Sequence, residues 1–161
     1  MQLVILFDFA GVLDIKDSYK VNNHDLHWRT CDQVDIDKAR MLLTFISETD
    51  ADYGCISTLE QYDANVMVAL LRTLRHKGTD EDKALVEKFR GRNRIDKEVH
   101  VDVSDGKNKG IEKFASRNPD AQIIVFEDEE FIDEKFGLVR VSGHSRLQES
   151  DIEKARSMID K

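Results

Sequence analysis

Short apolar runs alternate along the chain with longer segments whose apolar residues recur at helical spacing. Residues 3–7 form a continuous apolar run, which is typical of a strand buried on both faces of a parallel sheet. Four more strands are predicted, at residues 50–56, 99–103, 123–126 and 138–141. The segments between them predict amphipathic helices, because their apolar residues lie three and four positions apart.

This alternation of strands and helices predicts an α/β fold. We expect a single domain over residues 1–161, with a mostly parallel five-stranded sheet and helices on both faces. Residues 14–35 are polar and aperiodic, and they predict a flap or long loop rather than a large cap. Ligands of such sheets bind beyond the carboxyl ends of the strands, so the candidate chemistry should follow the strands.

Composition narrows the range of ligands. The formal net charge is -8, and an acidic surface disfavours broad contact with a nucleic-acid backbone. A small phosphorylated substrate, or a nucleic-acid end held by one local basic patch, stays open, and the charge does not choose between them. Cys31 and Cys55 have no metal-binding or disulfide-framework spacing, and no stretch is long and apolar enough for a membrane span. We therefore expect a soluble cytoplasmic protein.

Carboxylates follow two of the predicted strands. Asp8 comes directly after the first apolar run, and Glu127 and Asp128 follow the strand at 123–126. If the two strands are neighbours, these carboxylates face one another, and a hard cation such as Mg²⁺ would relieve their repulsion. The alternative for Asp8 is a turn or helix-cap aspartate, and for Glu127 and Asp128 a solvated acidic turn.

Hydroxyl and ammonium groups follow the other strands. Ser57 and Thr58 end the second predicted strand, and Lys107 and Lys109 precede the helix at 111–115. A lysine there could balance the charge of both a carboxylate nucleophile and a bound phosphate. On its own, either lysine would be interpreted as a surface residue.

Together these stretches resemble the four sequence motifs of the haloacid dehalogenase (HAD) superfamily. Residues 3–13 resemble the first motif, with Asp8 at the nucleophile position, and residues 56–58 resemble the second. Lys109 matches the third motif and residues 125–128 the fourth. The resemblance spans nearly the whole chain, and the small capless HAD domains associated with RNA-repair proteins are the most similar type.

The resemblance implies a catalytic role for each motif. Asp8 would attack a phosphorus atom and form an aspartyl-phosphate. Ser57 or Thr58, together with Lys109, would bind the phosphoryl oxygens. Mg²⁺ would be held by Asp8, by the Ala10 backbone carbonyl and by the acidic pair of Glu127 and Asp128. The implied activity is hydrolysis of a phosphate ester, with a nucleotide or nucleic-acid end as one candidate substrate.

The chain departs from the superfamily at Ala10, where its phosphatases carry a second aspartate as general acid and base. Loss of a general acid typically costs about 10²–10⁴-fold in rate. Three outcomes stay open: a phosphatase that needs a good leaving group or another acid, a silent phosphate- or partner-binding module, and a phosphonate C–P hydrolase. The run Asp8-Phe9-Ala10-Gly11 is similar to that of phosphonate-cleaving relatives, which also need a lysine from a large cap.

Several other polar residues are candidates for a substitute acid or for a binding patch. His24 and His27 lie in the predicted flap, and His144 lies in a polar loop after the last strand. Each could supply a proton, and each could equally be an ordinary polar loop residue. The only concentrated basic patch, formed by Arg90, Arg92 and Arg94, could contact an extended phosphorylated substrate or simply offset the acidic surface.

Overall fold

The structure, a computed structural model, describes residues 2–15, 33–57, 65–90, 96–129 and 132–159. Within these ranges the chain forms four strands and five helices. The strands are β1 (Gln2–Phe7), β2 (Asp52–Cys55), β3 (Ala121–Glu127) and β4 (Gly137–Arg140). The helices are α1 (Ile36–Thr49), α2 (Val66–Lys77), α3 (Asp80–Lys88), α4 (Lys107–Arg117) and α5 (Glu149–Met158).

The four strands form one parallel sheet in the order β2-β1-β3-β4. Phe7, the last residue of β1, lies opposite Cys55 of β2 and Phe126 of β3. Phe126 in turn lies opposite Val139 of β4. The carboxyl ends of all four strands therefore meet at one edge of the sheet.

Helices cover both faces of the sheet, as the apolar runs predicted. On one face, Ile5 and Phe7 of β1 pack in a core cluster with apolar residues of α1, α2, α3 and α5. On the other face, Val4 and Leu6 pack with Ile111 of α4. Because successive side chains of a strand point to opposite faces, β1 contributes to both clusters and is fully buried from Val4 to Phe7.

The prediction of a fifth strand at residues 99–103 is wrong. The chain makes one isolated parallel bridge just before this segment, between Tyr53 and Glu98. Within the segment, the Val99 N–H donates to the Tyr53 carbonyl at 2.8 Å. Val101 and Val103 are nevertheless buried in the same core cluster as Ile111. The alternating pattern reports which side chains are buried, and burial against α4 does not require the backbone hydrogen bonds that define a strand.

The predicted flap is anchored at both of its ends. The Ile15 N–H donates to the Gln33 carbonyl at 2.8 Å, and the Asp35 N–H donates to the Leu13 carbonyl at 2.8 Å. Residues 16–32, which include His24 and His27, lie outside the described residues. No large cap domain is present in the described part of the chain. None of the helices described has the length and hydrophobicity needed to cross a bilayer.

Helix α2 begins at Val66. Asn65 has an extended backbone, and its side chain accepts a hydrogen bond from the Val68 N–H at 2.9 Å, so Asn65 is the N-cap. The Thr58–Gln61 pattern that resembles a capping box lies outside the described residues. At the other end, the Gly78 N–H caps α2 by donating to the Leu74 carbonyl.

Candidate functional site

The chain reverses its direction of travel across the sheet between β1 and β3. From β1 it passes to β2 on one side, and it then returns across β1 to β3 on the other side. Ligands of open α/β sheets bind at such a switch point, in the crevice beyond the carboxyl ends of the strands. Asp8 follows β1 directly, and Glu127 ends the neighbouring strand β3.

Asp8 is fixed by the backbone on one side and by a cation on the other. Its N–H continues the sheet by donating to the Phe126 carbonyl at 3.0 Å. Its Oδ1 accepts from the Phe9 N–H at 2.8 Å, and its Oδ2 accepts from Lys107 Nζ at 3.0 Å. With only 4% of its surface exposed, Asp8 has its charge stabilised by these two donors rather than by bulk water.

Lys107 is the cation that holds the carboxylates together. It is the first residue of α4, after the N-cap Gly106. Its Nζ lies 3.0 Å from Asp8 Oδ2, 2.8 Å from Glu127 Oε2 and 3.5 Å from Glu129 Oε2. Burial lowers the pKa of Lys107, but the attraction of Asp8 and the hydrogen bond to Glu127 outweigh it and raise that pKa above its ordinary value.

Glu127 is completely buried behind Lys107. Besides the bond from Lys107, its Oε1 accepts from the Asp128 N–H at 3.1 Å and from the Glu129 N–H at 3.4 Å. Burial and the charge of Asp8 raise the pKa of Glu127 above its ordinary value, although the hydrogen bond and the charge of Lys107 oppose the shift. Both carboxylate oxygens are therefore already occupied, which suits Glu127 to holding Lys107 better than to binding a ligand.

A pocket of about 270 Å³ opens at this edge, and Asp8, Ala10, Gly11 and Asp128 line part of it. Oxygens of Asp8, Glu127 and Asp128 lie within 4.8 Å of one another. Gly11 has φ of 78°, a left-handed conformation that glycine adopts without strain. A Cβ at Gly11 would also collide with the Asp128 carboxylate, so the turn after β1 and Asp128 are in close contact.

A second ion pair lines the same pocket. Arg146 Nε lies 2.9 Å from Asp14 Oδ1, and both side chains are more than nine-tenths buried. The same oxygen accepts from the Gly11 N–H at 2.8 Å. The pair joins the turn after β1 to the loop after β4. The sequence analysis missed Arg146, and it assigned Asp14 only to the flap.

The structure brings together only some of the residues predicted for the site. Ser57 is buried. It lies at the same edge of the sheet, because the preceding Ile56 N–H extends the β2–β1 ladder by donating to the Phe7 carbonyl at 2.9 Å. Lys107, which the sequence left as the alternative, contacts Asp8. Lys109 is exposed.

Two of the remaining candidates, His144 and Arg90, are exposed. His144 is exposed, and its N–H donates to Ser142 Oγ at 3.3 Å. Arg90 is exposed at the end of α3 and lies 4.0 Å from Glu87. Thr58, Arg92 and Arg94 lie outside the described residues.

Comparison with known proteins adds no further constraint. The chain matches no protein-family model, no curated protein and no solved structure. What this edge of the sheet does must therefore be argued from its own residues.

Proposed function

We propose that the protein is a Mg²⁺-dependent hydrolase of phosphate esters that uses Asp8 as its nucleophile. The observation that carries the proposal is the environment of Asp8, a carboxylate at the end of the central strand. Lys107 and the Phe9 N–H fix it, and it lines a pocket. An oriented carboxylate of this kind suits attack on a phosphorus atom, and the order of motifs similar to the HAD superfamily supports the same role.

The donor set fits Mg²⁺. This cation prefers carboxylate oxygens and usually binds through one or two carboxylates together with substrate phosphates and water. Asp8 and Asp128 would hold it, with the Ala10 backbone carbonyl as a further ligand. Glu127 is the weakest candidate ligand, because it is completely buried, does not line the pocket and already accepts hydrogen bonds from Lys107 and two backbone N–H groups. When bound, Mg²⁺ would neutralise charge on the phosphoryl oxygens.

In the proposed reaction, an Asp8 oxygen bonds to phosphorus while the ester P–O bond breaks. Water then attacks the phosphorus of the aspartyl-phosphate, which releases inorganic phosphate and restores Asp8. Lys107 holds the Asp8 carboxyl group in place throughout. Ala10 has no proton to give, so the leaving oxygen takes its proton from solvent. Esters of acidic phenols and alcohols should therefore react fastest.

Phosphate release from an aryl phosphate and from a panel of nucleotides tests this function. We expect wild-type protein to release phosphate with Mg²⁺ but not with EDTA, and Asp8→Asn to be inactive. Asp105→Asn is the matched control, since Asp105 is exposed and lies 3.7 Å from Lys113, away from the pocket. Acid-quenched wild-type protein should carry phosphate on Asp8. Equal rates in Asp8→Asn and wild type would reject the proposal.

Ala10 favours a second candidate, a phosphate-binding module without turnover. Alanine at this position keeps a backbone carbonyl for a cation but removes the proton donor of the related phosphatases. Folded protein that binds inorganic phosphate with Mg²⁺, yet releases none from any ester and forms no phosphoenzyme, would support the module and exclude the hydrolase.

A further inference from the structure

Arg146 is a buried arginine whose hydrogen-bonding capacity is only partly used. Its Nε donates to Asp14 at 2.9 Å, and its Nη1 donates to the Gly143 carbonyl. Neither contact uses Nη2. Among the residues that the structure describes, the one fully buried polar side-chain atom without a partner is Gln33 Oε1. Nη2 therefore has no described partner and is accessible to solvent.

The backbone of Arg146 is held in an unfavourable conformation. Its φ is 60°, in the left-handed region that non-glycine residues rarely adopt. The surrounding loop enforces this geometry, because the Arg146 N–H donates to the Ser142 carbonyl at 2.8 Å and the Leu147 N–H to the Val12 carbonyl at 3.0 Å. Strained conformations of this kind concentrate at binding sites, where the surrounding structure stabilises them.

The charges around the pocket make Arg146 the group best placed to bind an anion. Asp8, Asp14, Asp128 and Glu129 line the pocket, and Arg146 is the one cationic residue among the described residues that do so. Lys107 contacts Asp8 but is not part of the lining. An anion inside the pocket therefore has Arg146 as its cationic side-chain partner.

We propose that Arg146 binds an anionic oxygen of the ligand through Nη2 and so determines the specificity of the pocket for phosphorylated compounds. The inference rests on the proposed function for the identity of the anion, a phosphoryl group. Nη2 carries two N–H donors, and a hydrogen bond from a guanidinium to a charged phosphate oxygen is about twice as strong as one between neutral groups. The ion pair with Asp14 fixes the guanidinium plane before the ligand arrives, which reduces the entropy lost on binding.

Calorimetric binding of inorganic phosphate in the presence of Mg²⁺ tests the proposal. We expect Arg146→Gln to weaken phosphate binding by about tenfold or more. Arg146→Lys should bind with intermediate affinity, because it keeps the charge and loses the planar donors. Binding of Mg²⁺ alone should be no weaker in either variant.

Asp14→Ala separates ligand binding from loop anchoring. Alanine removes the acceptor oxygen of Arg146 and Gly11 and so releases the loop, but it leaves the guanidinium in the pocket. If Arg146 only anchored the loop, Asp14→Ala and Arg146→Gln would weaken phosphate binding alike, whereas we expect Asp14→Ala to weaken it less than Arg146→Gln does. Should Arg146→Gln alone fail to fold, the double variant Asp14→Asn/Arg146→Gln avoids an unpaired buried carboxylate and still lacks the guanidinium.

The outcomes distinguish this inference from the proposed function. Phosphate binding that is unchanged by Arg146→Gln would overturn the inference, while Asp8-dependent hydrolysis could still stand. Binding that depends on Arg146, in a protein that forms no phosphoenzyme, would support the inference and reject the hydrolase.

Discussion

Two lysines at the start of α4 allow a direct test of the buried charge cluster. Lys107 lies within 3.0 Å of both Asp8 and Glu127, whereas Lys109, two positions further on, is exposed. Removing Lys107 leaves two buried carboxylates without their cation, and breaking a buried pair in this way costs about 3–5 kcal/mol. We therefore expect Lys107→Met to lower the free energy of unfolding by about 3 kcal/mol or more in metal-free buffer.

Lys109→Met is the matched control for this measurement, and it should change the free energy of unfolding by less than about 0.5 kcal/mol. Urea denaturation of both variants at neutral pH would show the difference. Similar small losses in the two variants would mean that Lys107 does not stabilise the carboxylates.

Ala10 gives a second prediction at the scale of a single residue. If the protein is a hydrolase limited by the missing general acid, Ala10→Asp should raise turnover of alkyl phosphates by about tenfold, a small part of the 10²–10⁴-fold typical of such acids. Aryl phosphates, whose leaving groups need no proton, should gain little. Ala10→Asn has the same size without an acidic proton, and a gain in that variant would contradict the explanation.

The sequence predicted some of these site residues and not others, for physical reasons. Asp8 and Asp128 were predictable, because a carboxylate directly after a buried apolar strand lies at the ligand-binding edge of a parallel sheet. The choice between Lys107 and Lys109 depends on where α4 begins, and a shift of two residues is within the usual uncertainty of a helix boundary. Arg146 depends on a left-handed backbone and on a partner at Asp14, and neither leaves a local pattern.

At the scale of elements, an ion pair joins α1 to α3. Arg40 donates to Asp82 through Nε at 2.6 Å and through Nη2 at 2.7 Å. Asp82 also accepts from the Thr79 N–H at 2.9 Å as part of the capping box that begins α3. The hydrogen bonds from Arg40 lower the pKa of Asp82, against the opposing effect of burial.

This pKa shift predicts a pH-dependent contribution to stability. A carboxyl group whose pKa is lower in the folded state stabilises the protein above its unfolded pKa, near 3.8 for Asp82, and this stability is lost as the pH falls further. Asp82→Asn should lower the free energy of unfolding by about 1.5–3 kcal/mol at pH 7. That difference should shrink as the pH falls below 3.8.

Denaturation of both proteins at several pH values would measure this effect. Asp80→Asn is the control, because Asp80 lies in the same first turn of α3 and is fully exposed. A loss for Asp82→Asn that stays constant with pH would show that the contribution comes from packing rather than from charge.

At the scale of the whole molecule, residues 97–103 run from the edge strand β2 into the core cluster of α4 without forming a strand of the sheet. Val101 and Val103 pack in the core cluster of α4, and His100, which precedes Val101, is exposed. We expect Val101→Ala to lower the free energy of unfolding by about 1–3 kcal/mol, and His100→Ala to change it by less than about 0.5 kcal/mol. Urea denaturation would compare them, and equal losses would contradict packing by this segment.

The alternation of apolar and polar residues was sufficient to predict the layered architecture. It identified all four strands of the described sheet and the helices on both faces, because burial sets the hydrophobic period in each case. It could not show whether residues 99–103 pair with a neighbouring strand. A side chain is buried equally well whether its backbone joins a ladder or runs beside it. The pattern therefore predicted five strands, whereas the described sheet has four.

The central position of β1 has a consequence for how the chain folds as it is synthesised. On one side Phe7 of β1 pairs with Cys55 of β2, but on the other side it pairs with Phe126 of β3, which is synthesised much later. Until the ribosome has made β3, one edge of a strand that is apolar from Leu3 to Phe7 has no partner. Contacts so distant in sequence form slowly, and an unpaired strand edge invites aggregation. The nascent protein should therefore depend on chaperones until its second half emerges.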